Sequence, residues 1–360
     1  MSKLKAGIIG GTGMVGQRFV SLLENHPFFE VTCIAASVNS ANKTYEEAVK
    51  GRWAMPAPIP NSVKTLMVKD ASQTAEISNE VDFVFCAVDM PKSEVLKLEE
   101  AFAKHETPVV SNNSAARPLP DVPMMIPEIN AHHIGVIAAQ KKRLGTSRGF
   151  IVVKPNCSLQ SYVPAIHPLL EYAPTHIVAC TYQAISGAGK TFETWPEMID
   201  NVIPFIGGEE EKSEKEPMKI WGTVADGNIV NALEPVITSQ CIRVPISDGH
   251  MAAVFISFKN KPSKNEILAK WKAFEGKPQR LNLPSAPKPF LTYFEEDSRP
   301  QTKLDRDIGN GMGVAIGRLR EDSLYDYKFV CLSHNTIRGA AGGAVLIAEL
   351  LKAEDYLVKK

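Results

Sequence analysis

Of the six cysteines in the chain, one has surroundings unlike the rest. Cys157 lies in Ile151-Val152-Val153-Lys154-Pro155-Asn156-Cys157-Ser158, a β-branched run that reads as a buried strand and is stopped by Pro155. Leu159, Ile166, Leu169 and Leu170 then return at helical spacing, which puts Cys157 at a strand-to-helix corner. The first backbone N–H groups of a helix are free there, and its positive end favours a thiolate over a thiol. Such a corner can hold a nucleophile. Cys33, Cys86, Cys180, Cys241 and Cys331 sit inside apolar or alternating runs, where cysteine serves as a small core hydrophobe. Position alone leaves Cys157 open between a packed thiol and a reactive one.

A second constellation opens the chain. Lys5-Ala6-Gly7-Ile8-Ile9 is a short apolar strand, followed by Gly10-Gly11-Thr12-Gly13-Met14-Val15-Gly16 and a helix carrying Phe19, Val20, Leu22 and Leu23. Gly10, Gly13 and Gly16 fit a variant of the dinucleotide fingerprint: a tight turn, close approach of backbone to a pyrophosphate, and close packing of helix on strand. The next strand, Glu30 to Ala36, ends in Ser37-Val38-Asn39-Ser40. An NAD site would usually place a carboxylate here for the ribose hydroxyls, and none is present. Small hydroxyls with Lys43 close by suit a 2′-phosphate better, so NADP is favoured over NAD, although Asn42-Lys43-Thr44-Tyr45 also reads as a solvated loop.

A thiolate beside a dinucleotide suggests one reaction class. Attack on an acyl donor or aldehyde gives a tetrahedral adduct, and hydride exchange with nicotinamide interconverts a thiohemiacetal and a thioester. That scheme needs an acid or base, and His250 in Asp248-Gly249-His250 is the best placed of the eight histidines, at a loop-to-strand junction flanked by glycine. The alternative, a satisfied loop histidine, stays open. Arg117 follows a strand running into the polar loop Ser111-Asn112-Asn113-Ser114 and is either an anion fork or a surface residue. The run Glu209-Glu210-Glu211-Lys212 reads by composition as a solvated helix face. His132-His133 read as helix-start or surface residues, and no metal site is expected.

These residues need two supports. The chain has 360 residues, more than one core usually organises. Strands at 81–88 and 108–111, with a helix from Pro91 to Lys104 between them, continue a doubly wound parallel sheet of Rossmann type; ligands of such a sheet lie beyond the carboxyl ends of its strands. The second half carries long strands at 175–185, 241–246, 251–258, 311–318 and 328–332, residues 191 to 222 read as polar and helical, and few crossover helices follow. It is expected to be an α+β catalytic and dimerisation domain with a mostly antiparallel sheet. Asn335 to Leu351 is a glycine- and alanine-rich terminal helix expected to return to the nucleotide domain. We place the NADP-binding domain at 1–156, completed by 336–360, and the catalytic domain at 157–335. Lysine plus arginine equals aspartate plus glutamate at 40 each, so no global field points to nucleic acid or membrane. With no apolar run of membrane-spanning length and a start that runs straight into a strand, a cytoplasmic location is expected.

In order along the chain, Gly7 to Gly16, Ser111 to Arg117, Pro155-Asn156-Cys157-Ser158, Arg243-Val244-Pro245, Gly249-His250 and Asn335 to Gly343 resemble the aspartate-semialdehyde dehydrogenase family, in particular its archaeal and fungal branch. The resemblance implies NADPH-dependent reductive dephosphorylation of L-4-aspartyl phosphate to L-aspartate 4-semialdehyde, a step toward lysine, threonine and methionine. It implies Cys157 as nucleophile, His250 as acid/base group and Gln183 as the residue orienting the intermediate. Arg243 would hold the substrate α-carboxylate, Glu209 its ammonium (with Glu210 an acceptable substitute), and Arg117 and Lys212 the phosphate. Thr12, Gly13, Met14 and Val15 would line the pyrophosphate, Ser37 and Ser40 the adenosine ribose, and Gly187 and Asn335 the nicotinamide side. Members of the family often carry arginine where Asn39 stands. The partners implied are a small-molecule substrate, phosphate and further copies of the chain, as a dimer or tetramer. Malonyl-CoA reductase on the same scaffold, or an NADP-binding redox sensor without turnover, are the alternatives.

Overall fold

The computed structural model describes residues 2–360. Its first half is a parallel sheet of β1 (Leu4–Ile9), β2 (Phe29–Ala36), β3 (Lys69–Asp70), β4 (Phe83–Cys86), β5 (Val109–Ser111) and β6 (Ile151–Val153) in the order β3-β2-β1-β4-β5-β6. That is the doubly wound order, with helices on both faces, and it explains why β4, β5 and β6 are buried at every residue. The order reverses between β1 and β4, and the crevice beyond their carboxyl ends is where the glycine turn emerges.

The second sheet takes β7 (Pro174–Gln183), β10 (Val236–Arg243), β11 (His250–Phe258), β12 (Leu291–Phe294), β13 (Val314–Glu321) and β14 (Tyr327–Ser333) in the order β10-β7-β11-β14-β13-β12, while β8 (Thr223–Ala225) and β9 (Asn228–Val230) form a separate hairpin. It is mixed: β7 pairs antiparallel with β11, as does β14 with both β11 and β13, but β10 runs parallel to β7 and β12 to β13. One face packs on the Leu159–Ile166 helix and on Trp271. On the other, Val178, Tyr182, Met251, Phe255 and Val330 remain partly exposed, so a largely apolar sheet face has no cover among the described residues.

The polar stretch 191–222 is less helical than its composition predicts. Only Glu209–Ile220 forms an α-helix, preceded by an irregular segment and a single turn at Pro196–Met198. The prolines at 196 and 204 each lack the N–H a helix needs. The terminal helix Gly342–Ala353 does return to the first sheet: Ala344, Val345, Leu346, Ile347 and Leu350 share a core with Ile8, Phe19 and Phe85. It is pinned by Glu349, whose buried carboxylate lies 2.9 Å from His26 Nε2 and accepts from Ser285. Among the described residues no helix is long and apolar enough to cross a membrane.

Candidate active site

The carboxyl end of β6 delivers Cys157 to the first turn of the Leu159–Ile166 helix. Cys157 stays partly accessible although protein surrounds its thiol. Its corner is held by Asn156, whose side-chain oxygen accepts from the N–H and hydroxyl of Ser158 at 2.8 and 2.7 Å. Gly339 seals it from the far side: a Cβ there would sit 2.9 Å from the Cys157 Cβ. The sequence suggests a thiol eased toward ionisation by the helix end. In the structure, burial pushes the thiol up, the Glu209 carboxylate adds to that, and Lys154, Arg117 and Arg243 pull it back only in part.

His250 is the first residue of β11 and is fully buried, not poised on a loop. Its Nδ1 accepts a 3.0 Å hydrogen bond from the Ala184 N–H, while its Nε2 is buried with no partner in the protein. Since Nδ1 uses its lone pair, the neutral ring carries its proton on Nε2. Burial and the Arg243 charge lower its pKa to about 3, so the ring is neutral at physiological pH. Arg243, at the end of β10 and donating to the Ala184 carbonyl at 2.7 Å, converges on the same point: a Cβ at Gly187 would stand 3.0 Å from both Arg243 Nη1 and His250 Nε2. Gly187 thus leaves the space into which both groups aim. Asn335 fixes that loop, accepting from the Gly249 N–H and donating to the Ser186 hydroxyl, both at 2.8 Å.

Opposite this pair, Glu209 is buried, and its two oxygens accept from the Asn156 side-chain amide at 2.9 and 3.0 Å. Lys212 binds the same carboxylate at 2.8 Å, and Gln183 reaches it at 3.4 Å. Glu210 turns away to cap β10 through Gln240 and the Cys241 N–H. The acidic run is therefore split by the helix period, with one carboxylate in the site, one on the sheet edge and Glu211 in solvent beside Lys215. Arg117 is buried and forms a 2.8 Å ion pair with Glu216. With Lys212, Lys92, Lys215 and Lys219 it lines a cavity of about 340 Å³ whose net charge is positive.

Several buried polar groups in and around the site escaped the sequence reading. Glu216 holds Arg117 with one oxygen and the Asn156 N–H with the other at 2.7 Å, tying Arg117 to the loop that carries Cys157. Its signal was present: Glu209, Ser213 and Glu216 recur at i, i+4 and i+7, one face of the Glu209–Ile220 helix. Asn112, after β5, keeps both side-chain polar atoms buried and unpartnered. His133, expected near the surface, is fully buried and bonded to Asn130 and the Gly222 carbonyl, since the turn at 131–136 rotates it inward.

A cleft of about 570 Å³ at the switch point is lined by Gly10, Thr12, Gly13, Ser37 and Val38, with Ala87 and Val88 as its floor. It fits a dinucleotide. Gly10 has φ +88°, and a Cβ there would press to 2.3 Å on the Ala87 carbonyl; at Gly13 the nearest atom to a Cβ is 3.6 Å away, leaving room for a pyrophosphate. Gly13 caps the Met14–Leu22 helix with no side-chain cap and no acid in the first turn, so its N–H groups are free for an anion. The other residues named for this role are less uniform. Val15 packs its side chain on the core, Met14 lines a neighbouring cavity with Ile185 and Ser186, and Ser40 is buried in the turn behind Ser37. No carboxylate follows β2 itself, but Asp70, paired in register with Ala36 from β3, brings one to the cleft wall, where Ser72 caps it.

The description "Semialdehyde dehydrogenase, NAD binding domain" matches residues 5–137, and "Semialdehyde dehydrogenase, dimerisation domain" matches residues 166–338. An aspartate-semialdehyde dehydrogenase of Methanothermobacter thermautotrophicus is 40% identical over 97% of this chain and 99% of its own length. That of Aspergillus fumigatus is 38% identical over 99% of both. The crystal structure of the Candida albicans aspartate-semialdehyde dehydrogenase with NADP superposes with a TM-score of 0.88 at 36% identity, covering 99% of this chain and 100% of that one.

Proposed function

The chain belongs to the aspartate-semialdehyde dehydrogenase family, and from that premise we propose that it converts L-4-aspartyl phosphate to L-aspartate 4-semialdehyde through a thioester on Cys157 with NADPH as reductant. It is a nicotinamide-dependent dehydrogenase acting on aspartate semialdehyde. The observation that carries the residue assignment is the convergence of three cations, Lys154, Arg117 and Arg243, on Cys157, with the unpartnered Nε2 of His250 beside Arg243.

The Cys157 thiolate attacks the acyl carbon of the substrate, and the Nε2–H of His250 donates to the oxyanion that forms. Phosphate departs toward the basic cavity of Arg117 and Lys212, where a dianion meets more cations than carboxylates. Arg243 holds the substrate α-carboxylate and the buried Glu209 its ammonium; Gln183 and Asn156 keep Glu209 aimed. When bound, the nicotinamide supplies the hydride that reduces the thioester. His250 again donates to the oxygen, and collapse of the adduct returns the thiolate. None of these steps asks His250 to take a proton, which agrees with a ring whose free nitrogen is already protonated.

Lys43, whose ammonium is bound to the Asn39 carbonyl at 2.9 Å, is held against the loop that follows β2 and supports NADP over NAD. The uncovered apolar face of β7, β11 and β14 supports a homodimer or homotetramer assembled through that sheet. The direct test follows NADPH formation from aspartate semialdehyde and phosphate, with NAD in parallel. Phosphate-dependent turnover with NADP is expected; turnover without phosphate, or with NAD alone, contradicts the reading.

A further inference from the structure

The cofactor cleft lies at the carboxyl ends of β3, β2, β1 and β4, and among the described residues that line it none is lysine, arginine or histidine. Its charged residues are Asp70 and Asp89. Asp89 follows β4, two strands away from β2 in the sheet order, whereas Asp70 closes β3 and pairs in register with Ala36, the last residue of β2. Neighbouring strands stand about 4.8 Å apart, so Asp70 brings its carboxylate one strand over from the position that ordinarily receives the ribose hydroxyls. At that position itself stand Ser37 and Val38.

The carboxylate is half committed. Its Oδ1 accepts from the N–H and the hydroxyl of Ser72 at 2.9 and 2.8 Å, which fixes the side chain, while Oδ2 has no donor among the described residues. No cation neutralises it either. Lys69, its neighbour in sequence, is taken by Glu76 and Glu80, and Lys43 is turned back on the Asn39 carbonyl. A free oxygen on a half-buried carboxylate at this end of the cleft accepts from a hydroxyl and opposes a phosphate. We propose that Asp70 is a specificity-determining residue of the cofactor site: its Oδ2 accepts from the 2′-hydroxyl of an unphosphorylated dinucleotide and repels a 2′-phosphate, so that the enzyme uses NAD alongside NADP. The inference rests on the proposed reaction and refines its cofactor. Lys43, which does not line the cleft, favours NADP, and Asp70 opposes it from the wall; the two together leave a narrow preference in place of a strict one.

The test measures kcat/KM for NADP and for NAD in the full-length enzyme, with aspartate semialdehyde and phosphate held saturating. Wild type should use NAD with a kcat/KM no more than about 100-fold below that for NADP, the span of one hydrogen bond to a charged group. In Asp70→Asn, which keeps an oxygen for Ser72, kcat/KM should fall about tenfold for NAD and rise about threefold for NADP, while the KM of aspartate semialdehyde holds. Opposite signs mark specificity, because damage to the fold would lower both. If Asp70→Asn does not fold, Asp70→Ser is read in its place, and if neither folds, the wild-type ratio alone decides. An unchanged ratio in the variant, or parallel losses with both nucleotides, overturns the proposal, as does a wild type that uses NADP and not NAD. A wild type that turns over neither nucleotide overturns the proposed reaction, and the inference with it.

Discussion

The backbone N–H of Ala184 donates a 3.0 Å hydrogen bond to Nδ1 of His250, and that single contact sets what the histidine can do. With Nδ1 accepting, the neutral ring presents an Nε2–H, and the role proposed for it is that of a donor. Replacing it with Ala should lower kcat about 10²–10³-fold, the loss expected for one oxyanion donor, while the KM of the cofactor holds. The pH profile of kcat should show no inflection from this ring between pH 5 and 8. An inflection near 6.5 that disappears in the variant would refute the donor assignment.

Gly339 should not tolerate a side chain. A methyl at 339 would meet the Cys157 Cβ at 2.9 Å and displace the nucleophile, so Gly339→Ala should lose most of its kcat while cofactor affinity is kept. Gly135→Ala is the control, since no atom lies within 4 Å of a Cβ there. Equal activity in the two variants would contradict the packing described.

Glu209 and Glu210 should separate cleanly. Glu209→Gln removes a buried carboxylate from the substrate side and should raise the substrate KM about 10–100-fold, the range for a hydrogen bond to a charged group. It should also ease ionisation of Cys157, because the Glu209 charge pushes that thiol up. Glu210→Gln, whose carboxylate serves β10, should leave KM unchanged. Steady-state kinetics on both variants, with alkylation rates on the first, decide the point.

Acid should destabilise the fold over a definite window. Burial lowers His133 and His167 to about 4 and His250 to about 3, so each takes up a proton on unfolding below pH 6.5. Stability from these rings is complete above about 6.5 and is lost as pH falls toward their folded values. Glu99 works the other way: burial raises it to about 7, so unfolding between pH 4.5 and 7 releases its proton. Near pH 5.5 these four groups together make unfolding take up about two protons. Denaturant titrations at pH 5, 6 and 7 should show stability rising with pH, and a flat or falling trend would contradict the burial of these groups.

Much of this site could be read from residue order, because its parts are local signals. Gly10, Gly13 and Gly16 carry their spacing on the surface of the sequence, and the Pro155 stop in front of Cys157 marks a corner without any tertiary information. What remained hidden depends on contacts between distant segments. Glu216 meets Arg117 across 99 positions, and Ala184 meets His250 across 66. The environment of Lys154 depends on Arg338 and Gly343, at the far end of the chain. The second sheet was legible as strands, but its register and its two parallel pairs were not, since alternation gives a strand's faces and not its neighbours. Asp70 escaped for a related reason: it reaches the cofactor cleft from β3, one strand over from the position where a carboxylate is ordinarily sought.

The substrate is proposed to pass through a covalent bond to Cys157. The most direct measurement mixes enzyme with aspartate semialdehyde and NADP in the absence of phosphate, quenches in acid and maps the adduct by peptide mass spectrometry. The acyl group should be found on the peptide bearing Cys157, vanish when phosphate is added before the quench, and be absent from Cys157→Ala. An acyl group on another residue, or full phosphate-dependent turnover in Cys157→Ala, would contradict it.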